Sequence, residues 1–347
     1  VNATRREIRR RVRSCEHRID TVFIGGGTPT ILPTDQLRAL FETLGRALAG
    51  RALREFTVEA NPETVDRATA ALLAQAGVDR VSMGAQSFSP AELAVLERSH
   101  EPEDVPQAVQ MLRRWGIERI NLDLIFGVPG QTLDTWAASL RRAIDLGVDH
   151  LSCYGLTYEA GTRLTARRDS GLIRPCEEAL EAEMFLLTIE TLAAAGYEQY
   201  EISNYAKPGC ACVHNLIYWH NAPYVGVGPA AVGCTRGRRY RNVADVDAYV
   251  RLIEEQGLAE AESETITREM LAIEMILLQL RLVEGMSIPA FAACTGANPV
   301  ALFGATLDRL VESGQATVSK DQIALTRSGM LVSDAIMAEL ACACDSL

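Results

Sequence analysis

The chain predicts an α/β fold, an incomplete (β/α)6 barrel followed by a smaller, winged-helix-like C-terminal domain. Three observations carry this. Between residues 20 and 156, short β-rich runs alternate with helix-patterned segments, a rhythm that builds a parallel sheet from right-handed βα units. The runs have one apolar and one polar face, whereas a sheet covered by helices on both sides is apolar throughout. After residue 264 the pattern becomes helix, short helix, helix, β wing and last helix. A doubly wound open sheet is the competing arrangement of the first part.

The β runs fall at Thr21–Ile24, Glu55–Glu59, Arg80–Met83, Arg119–Phe126 and His150–Leu156. Helical segments lie near 34–49, 64–76, 104–115 and 132–147, and Gly77, Gly116 and Gly147 stand where helix C-caps belong. The Arg-rich opening, Arg5 to Arg18, reads as a solvated helix face, since no apolar core of a targeting peptide follows it. A helix leading the first run implies one more strand before Val1, which makes six. Residues 157 to about 260 carry a long helix (Cys176–Ala195), a β-like run (Tyr197–Ser203) and an aromatic-rich loop from Tyr205 to Tyr224. The expected division is therefore 1–160 barrel, 161–260 connector and 261–347 C-terminal domain.

Composition narrows the function. The 347 residues hold 34 Lys+Arg against 45 Asp+Glu, a net charge of −11. Nucleic-acid binding needs a basic footprint, and residues 263–347 carry five basic side chains against ten acidic ones. The winged-helix order is thus not read as a DNA-binding module. Nine cysteines at irregular spacing fit reduced thiols in a cytoplasmic protein better than a disulfide framework. The most apolar stretch, Met270 to Val283, is broken by Glu274, Gln279 and Arg281, short of the ~18 uncharged residues of a membrane span.

Strand parity places the chemistry. Ile120, Leu122, Leu124 and Phe126 share one face of the fourth run, and Asn121 and Asp123 share the other. Thr57 and Glu59 face together, as do Ser82, Gly84 and Gln86. Glu59 and Gln86 end their strands, where barrel active sites are built. Gly25-Gly26-Gly27-Thr28-Pro29-Thr30 follows the first run and lets the backbone approach a polar ligand closely. It is neither a dinucleotide fingerprint, since Thr30 takes the last glycine position, nor a P-loop, since no G-K-[ST] follows. Glu59 is an acceptor suited to ribose hydroxyls, and Asn61-Pro62 turns the chain after it. Asp123 lies in Asn121-Leu122-Asp123-Leu124-Ile125-Phe126-Gly127-Val128-Pro129-Gly130-Gln131-Thr132, and an unpartnered buried charge there is costly. In Cys210-Ala211-Cys212-Val213-His214 the Cys-x-Cys spacing is not that of a zinc site, and no second ligand pair is present.

Taken together, the GGGTP run, the VEANP turn, MGAQSF, Arg98 and DLIFGVPGQT resemble the radical S-adenosylmethionine (SAM) barrel of the oxygen-independent coproporphyrinogen III oxidase family. The resemblance continues through His150-Leu151-Ser152-Cys153-Tyr154, Tyr200 to Ala206, and His214-Asn215-Leu216-Ile217-Tyr218-Trp219. That last segment points to its HemW, or haem chaperone, branch. The resemblance spans essentially the whole chain and implies a partial radical-SAM-type barrel with a HemN-type C-terminal domain. It implies that Gly26, Gly27 and Thr28 hold the amino-acid end of SAM, and that Glu59, Gln86, Arg98 and Asp123 contact SAM. It implies haem at His214, Tyr218 and Trp219, with His214 as the iron ligand, a role imidazole suits. The family's C-x3-C-x2-C motif for a [4Fe–4S] cluster does not occur in residues 1–347. It is expected on the loop after a strand preceding Val1, in the full-length protein. Where the family carries Gly-Ala-His-Ser, this chain reads Ala230-Ala231-Val232-Gly233.

The function so implied is a cytoplasmic haem chaperone that binds haem and SAM and passes haem to an acceptor haemoprotein. Its partners are haem or a porphyrinogen, that acceptor and an electron donor. The alternatives are oxidative decarboxylation of coproporphyrinogen III and a related radical SAM methylation. Whether the chain is an enzyme stays open on sequence.

Overall fold

The Arg-rich opening folds as α1 (Asn2–Ser14), which leads into β1 (Thr21–Ile24) and α2 (Thr34–Ala47) in the computed structural model. That structure describes residues 1–347, the side chains of Asp345 and Ser346 excepted. The alternation continues as β2 (Glu55–Ala60), α3 (Arg67–Gln75), β3 (Arg80–Gln86), α4 (Pro90–Val95), α5 (Asp104–Arg114), β4 (Arg119–Phe126), α6 (Leu133–Asp145) and β5 (His150–Gly155). Then come α7 (Arg163–Asp169), α8 (Glu178–Ala194), β6 (Glu198–Glu201) and β7 (Asn204–Ala206). Gly77, Gly116 and Gly147 all take positive φ just past a helix, as C-caps do.

These strands form one seven-stranded sheet in the order β1-β2-β3-β4-β5-β7-β6. The first five are parallel, and β7 and β6 extend the β5 edge as an antiparallel hairpin. The sheet is the curled half-barrel that the strand parities predict. On one face Val58, Val81, Met83, Ile120, Leu122 and Leu124 are fully buried. On the other, Glu59, Ser82, Gly84, Gln86 and Asp123 are half-buried and line the lumen. Trp136 of α6 is fully buried. Its ring sits 5.6 Å from that of Phe126, and its Nε1 donates to Thr188 Oγ1 at 2.9 Å on α8. The large apolar payload thus keeps its one polar atom satisfied.

The remainder runs α9 (Val213–Trp219), β8 (Val232–Thr235), β9 (Arg238–Asn242), α10 (Val246–Glu255), β10 (Glu260–Thr265), α11 (Arg268–Gln279), β11 (Met286–Ser287) and α12 (Ile288–Thr295). It ends with α13 (Pro299–Glu312), β12 (Ala316–Val318), β13 (Gln322–Leu325), α14 (Arg327–Met330) and α15 (Ser333–Cys342). From α11 onward this is the winged-helix order, with β13 central between β11 and β12. The chain forms two compact units. One holds Thr21–Leu37 and Glu55–Ala211, and the other holds Val1–Asp20, Arg38–Arg54 and Cys212–Leu347.

In the second unit α1 is only partly the solvated face its arginines suggest. Glu7 is fully buried and accepts from Arg11 Nε at 2.7 Å, Tyr249 OH at 2.6 Å, Asn242 Nδ2 at 2.9 Å and the Gly228 amide at 2.9 Å. Four donors around one buried carboxylate offset its desolvation.

Three stretches differ from the sequence reading. The run Tyr197–Ser203 is the bulged start of the β6–β7 hairpin. The stretch from Tyr205 to Tyr224, expected as loop, contains α9. At seven residues α9 is shorter than the ~11–18-residue window over which helical periodicity is read. The β8–β10 meander was not anticipated, because β10 is almost entirely exposed and lacks apolar alternation. Cross-strand ion pairs such as Arg239 Nε–Glu264 Oε1, at 2.7 Å, join it to β9 instead.

Candidate functional site

The lumen rim is built from the loops at the strand C-terminal ends. After β1, Gly26 and Gly27 adopt φ of 84° and 157°, conformations that favour glycine. The Gly26 amide donates to Glu59 Oε2 at 3.0 Å. A Cβ on Gly25 would lie 2.5 Å from the Glu59 carboxyl carbon, so the first glycine makes room for that carboxylate. Burial pushes the Glu59 carboxyl up from its ordinary range; the Gly26 amide opposes this, the charge of Asp123 adds to it, and the Gly27 amide opposes it.

On β4, Asn121 Nδ2 donates to Asp123 Oδ1 and to Ser82 Oγ, each at 2.8 Å. Burial pushes the Asp123 carboxyl up, while hydrogen bonds from Asn121, Ser152 and Ser82 and the charge of Arg98 pull it back. Asn121 Oδ1 in turn accepts from His150 Nδ1 at 2.7 Å and Ser152 Oγ at 3.2 Å. His150 is buried and held neutral, by desolvation first and the Arg80 charge second. A neutral ring that donates at Nδ1 accepts at Nε2, where Tyr200 OH lies at 2.8 Å.

Gln86 takes φ of +61° at a break in the β3–β4 register. A Cβ on Gly84 would lie 2.7 Å from Gln86 Nε2, so glycine lets the amide fold back over the strand. Arg98 follows α4 on an exposed turn whose next two residues are tied down. Ser99 Oγ donates to Glu63 Oε1 at 3.1 Å, and His100 Nε2 lies 3.0 Å from Ala85 O. Hydrogen bonds continue around the rim: Thr30 Oγ1 to Thr64 Oγ1 at 2.6 Å, Ser87 Oγ to Glu92 Oε2 at 2.5 Å, and Gln131 Nε2 to the same oxygen at 2.9 Å. Four successive loops are thus each linked to the next.

The structure therefore groups Gly26, Gly27, Thr28, Glu59, Gln86, Arg98 and Asp123 on the ends of β1–β4 and their loops. His214, Tyr218 and Trp219 lie on α9, in the other compact unit. There the Tyr218 ring meets the His214 ring edge-on at 5.0 Å and the Tyr224 ring at 4.7 Å. Tyr218 OH is 3.3 Å from His214 Nε2, and burial pushes its phenol up to about 12. Arg281 stacks over Trp219 at 5.0 Å. Sequence parity puts Asn121 on the face of Asp123, and Gln131 lies in the same motif, but the sequence gives neither a role; Ser152, Tyr200 and Glu92 carry no local signal of theirs.

A curled parallel half-barrel with a glycine-rich first loop and paired lumen carboxylates, followed by a winged C-terminal unit, is the architecture of a radical SAM protein. Residues 2–143 match the Radical SAM superfamily, and residues 266–332 match the HemN C-terminal domain. The chain is 37% identical over 319 residues to the haem chaperone HemW of Bacillus subtilis (strain 168), covering 92% of this chain and 84% of that protein. To the haem chaperone HemW of Escherichia coli (strain K12) it is 34% identical over 330 residues, covering 92% and 83%. The chain belongs to the HemW family of the radical SAM superfamily. The solved structure of coproporphyrinogen III oxidase (HemN) from Escherichia coli aligns with a TM-score of 0.81 at 21% identity, over 98% of this chain and 82% of that one. That likeness is one of fold.

Membership implies SAM and a [4Fe–4S] cluster. The lumen fits SAM: the half-buried Glu59, Gln86 and Asp123 on its polar face supply donors and acceptors for a zwitterionic, hydroxyl-rich ligand. The cluster does not fit the residues present. Among the described residues no disulfide joins the cysteines, and no three His, Cys, Asp or Glu side chains converge on a metal position. Among the described residues no helix is long and apolar enough to cross a membrane.

Proposed function

We propose that this chain is a cytoplasmic haem chaperone that takes haem on α9, holds SAM in the half-barrel lumen and delivers haem to an acceptor haemoprotein. The observation that carries the haem assignment is the His214–Tyr218–Tyr224 array. It places an imidazole in an aromatic setting on a helix that buries none of its residues, so a flat apolar ligand has access to it. His214 would supply an imidazole nitrogen to the haem iron, and Tyr218 and Trp219 would supply aromatic contacts to the same ligand. The relatives named haem chaperone support the same reading.

In the lumen, Gly26, Gly27 and Thr28 receive the amino-acid end of SAM. Glu59 and Asp123 accept from its hydroxyl and amine donors. Gln86 and Arg98 close the polar shell, Arg98 also balancing the charge of Asp123. SAM, when bound, supplies a sulfonium centre; the chain supplies orientation and a polar, partly dry enclosure.

The test is transfer. Haem-loaded protein is mixed with an apo-haemoprotein and the acceptor's spectrum is followed. Growth of the acceptor spectrum at the expense of the donor's, lost in His214→Ala, is expected. Haem that stays bound, or that moves equally well from His214→Ala, overturns the proposal.

A further inference from the structure

His100 is 4% exposed, although it ends an exposed turn. Its Nε2 lies 3.0 Å from the Ala85 carbonyl on β3. A carbonyl oxygen only accepts, so Nε2 carries the proton and donates. Ala85 O also accepts from the Ser87 amide at 2.7 Å. The residue sits in the break of the β3–β4 register, directly before Gln86. The other ring nitrogen, Nδ1, faces Glu63 Oε2 at 3.8 Å. Glu63, on the loop after β2, accepts from Ser99 Oγ through its second oxygen at 3.1 Å. The end of the turn after α4 is thus tied to the ends of both β2 and β3.

Both sides of this tie are strained. Gln86 takes φ of +61°, and Glu97, directly before Arg98, takes φ of +55°. Glu97 closes α4: its amide donates to Ala94 O at 3.3 Å and the Arg98 amide to Leu93 O at 2.9 Å. That helix-ending conformation ordinarily falls to glycine. Left-handed residues other than glycine persist where the surrounding contacts over-determine them, and they gather at ligand sites. Here the strained pair flanks two lumen side chains. One is Gln86 itself, and the other is Arg98, whose charge acts on Asp123. The imidazole bond lies one residue before Gln86 and two residues after Arg98, so a single side chain bears on both.

We propose that His100 is a positioning residue for the lumen ligand site: by donating to the Ala85 carbonyl it fixes the two left-handed turns that set Gln86 and Arg98 on the ligand. This rests on the reading of the lumen as the SAM site. It assigns His100 no contact with SAM.

The test is a double-mutant cycle of His100→Ala and Arg98→Ala, read by calorimetric titration with S-adenosylhomocysteine, with melting curves reporting the fold. His100→Ala should lower affinity about tenfold in the wild-type background and at most about threefold where Arg98→Ala is already present, since part of what His100 holds is then gone. His100→Gln, which keeps a side-chain N–H donor, should return to within about threefold of wild type. Wild-type affinity in His100→Ala, the same loss in both backgrounds, or no recovery in His100→Gln overturns the inference while the lumen reading stands. Wild-type protein that takes up no S-adenosylhomocysteine overturns that reading, and this inference with it. Should His100→Ala not fold, His100→Met, which fills the space without a donor, takes its place in the cycle with the same expected and contrary results.

Discussion

Asn121 and Asp123 stand two residues apart on β4, share its lumen face, and are joined by a 2.8 Å hydrogen bond from Asn121 Nδ2 to Asp123 Oδ1. The amide cannot turn around, because its oxygen is already held by His150 and Ser152. A neutral histidine thus orients an amide, and the amide keeps a buried carboxylate available as an acceptor. Asn121→Asp places a second carboxylate beside Asp123, and like charges raise the pKa of the pair. S-adenosylhomocysteine affinity should therefore fall off at a higher pH than in wild type as the solution is acidified, with a loss on the order of tenfold at neutral pH. Calorimetric titrations between about pH 5 and pH 8, spanning the range above ordinary carboxylate pKa values, read this. Coincident pH profiles would contradict it.

Asp123 and Glu59 set a trade between stability and binding. Both carboxyls titrate above their ordinary range in the folded protein. The folded state therefore binds protons more tightly than the unfolded one, and the stability cost of each carboxyl grows as the pH rises from its unfolded pKa and is complete above its folded pKa. Asp123→Asn removes one such cost at neutral pH. Its melting temperature should equal or exceed that of wild type, whereas its S-adenosylhomocysteine affinity should drop by about tenfold or more. A lower melting temperature at pH 7 would show that Asp123 is a structural carboxylate.

Gly25 is required by space. A methyl group there meets the Glu59 carboxylate at 2.5–2.6 Å and the Phe23 ring at 2.5 Å. Gly25→Ala should displace Glu59 from the Gly26 amide and lower S-adenosylhomocysteine affinity by about tenfold, equivalent to ~1.4 kcal/mol. Because the loop is exposed, the melt should shift little. Unaltered affinity would place the ligand elsewhere.

The scaffold behind the rim depends on Trp136, fully buried between β4 and α8. Trp136→Ala should destabilise the protein by about 3–5 kcal/mol in urea unfolding. Trp136→Phe, which keeps the ring but abandons Thr188 Oγ1, should cost less. Equal costs for the two variants would mean that the hydrogen bond, and not the packing, dominates.

Strand parity made much of the lumen legible. The alternation in β4 separated Asp123 from Leu122 and Leu124, and the structure keeps that separation to the residue. Glycines past helix ends located three helix-to-strand junctions because positive φ leaves little choice of residue. Long-range partners were not legible. Nothing local to Asn121 indicates His150, which the β4–β5 register sets opposite it, and nothing local to Arg80 indicates Cys210, which follows the β6–β7 hairpin along β5. Helix α9 escaped for a different reason: its seven residues are fewer than the ~11–18 over which a helical period is read.

Haem at His214 is tested most directly by titrating the purified chain with haem. One equivalent should develop a Soret band with the signature of an imidazole-ligated iron, and His214→Ala should lose that band while melting as wild type does. A folded wild-type chain that produces no Soret shift, or a His214→Ala variant with an identical spectrum and affinity, would contradict it.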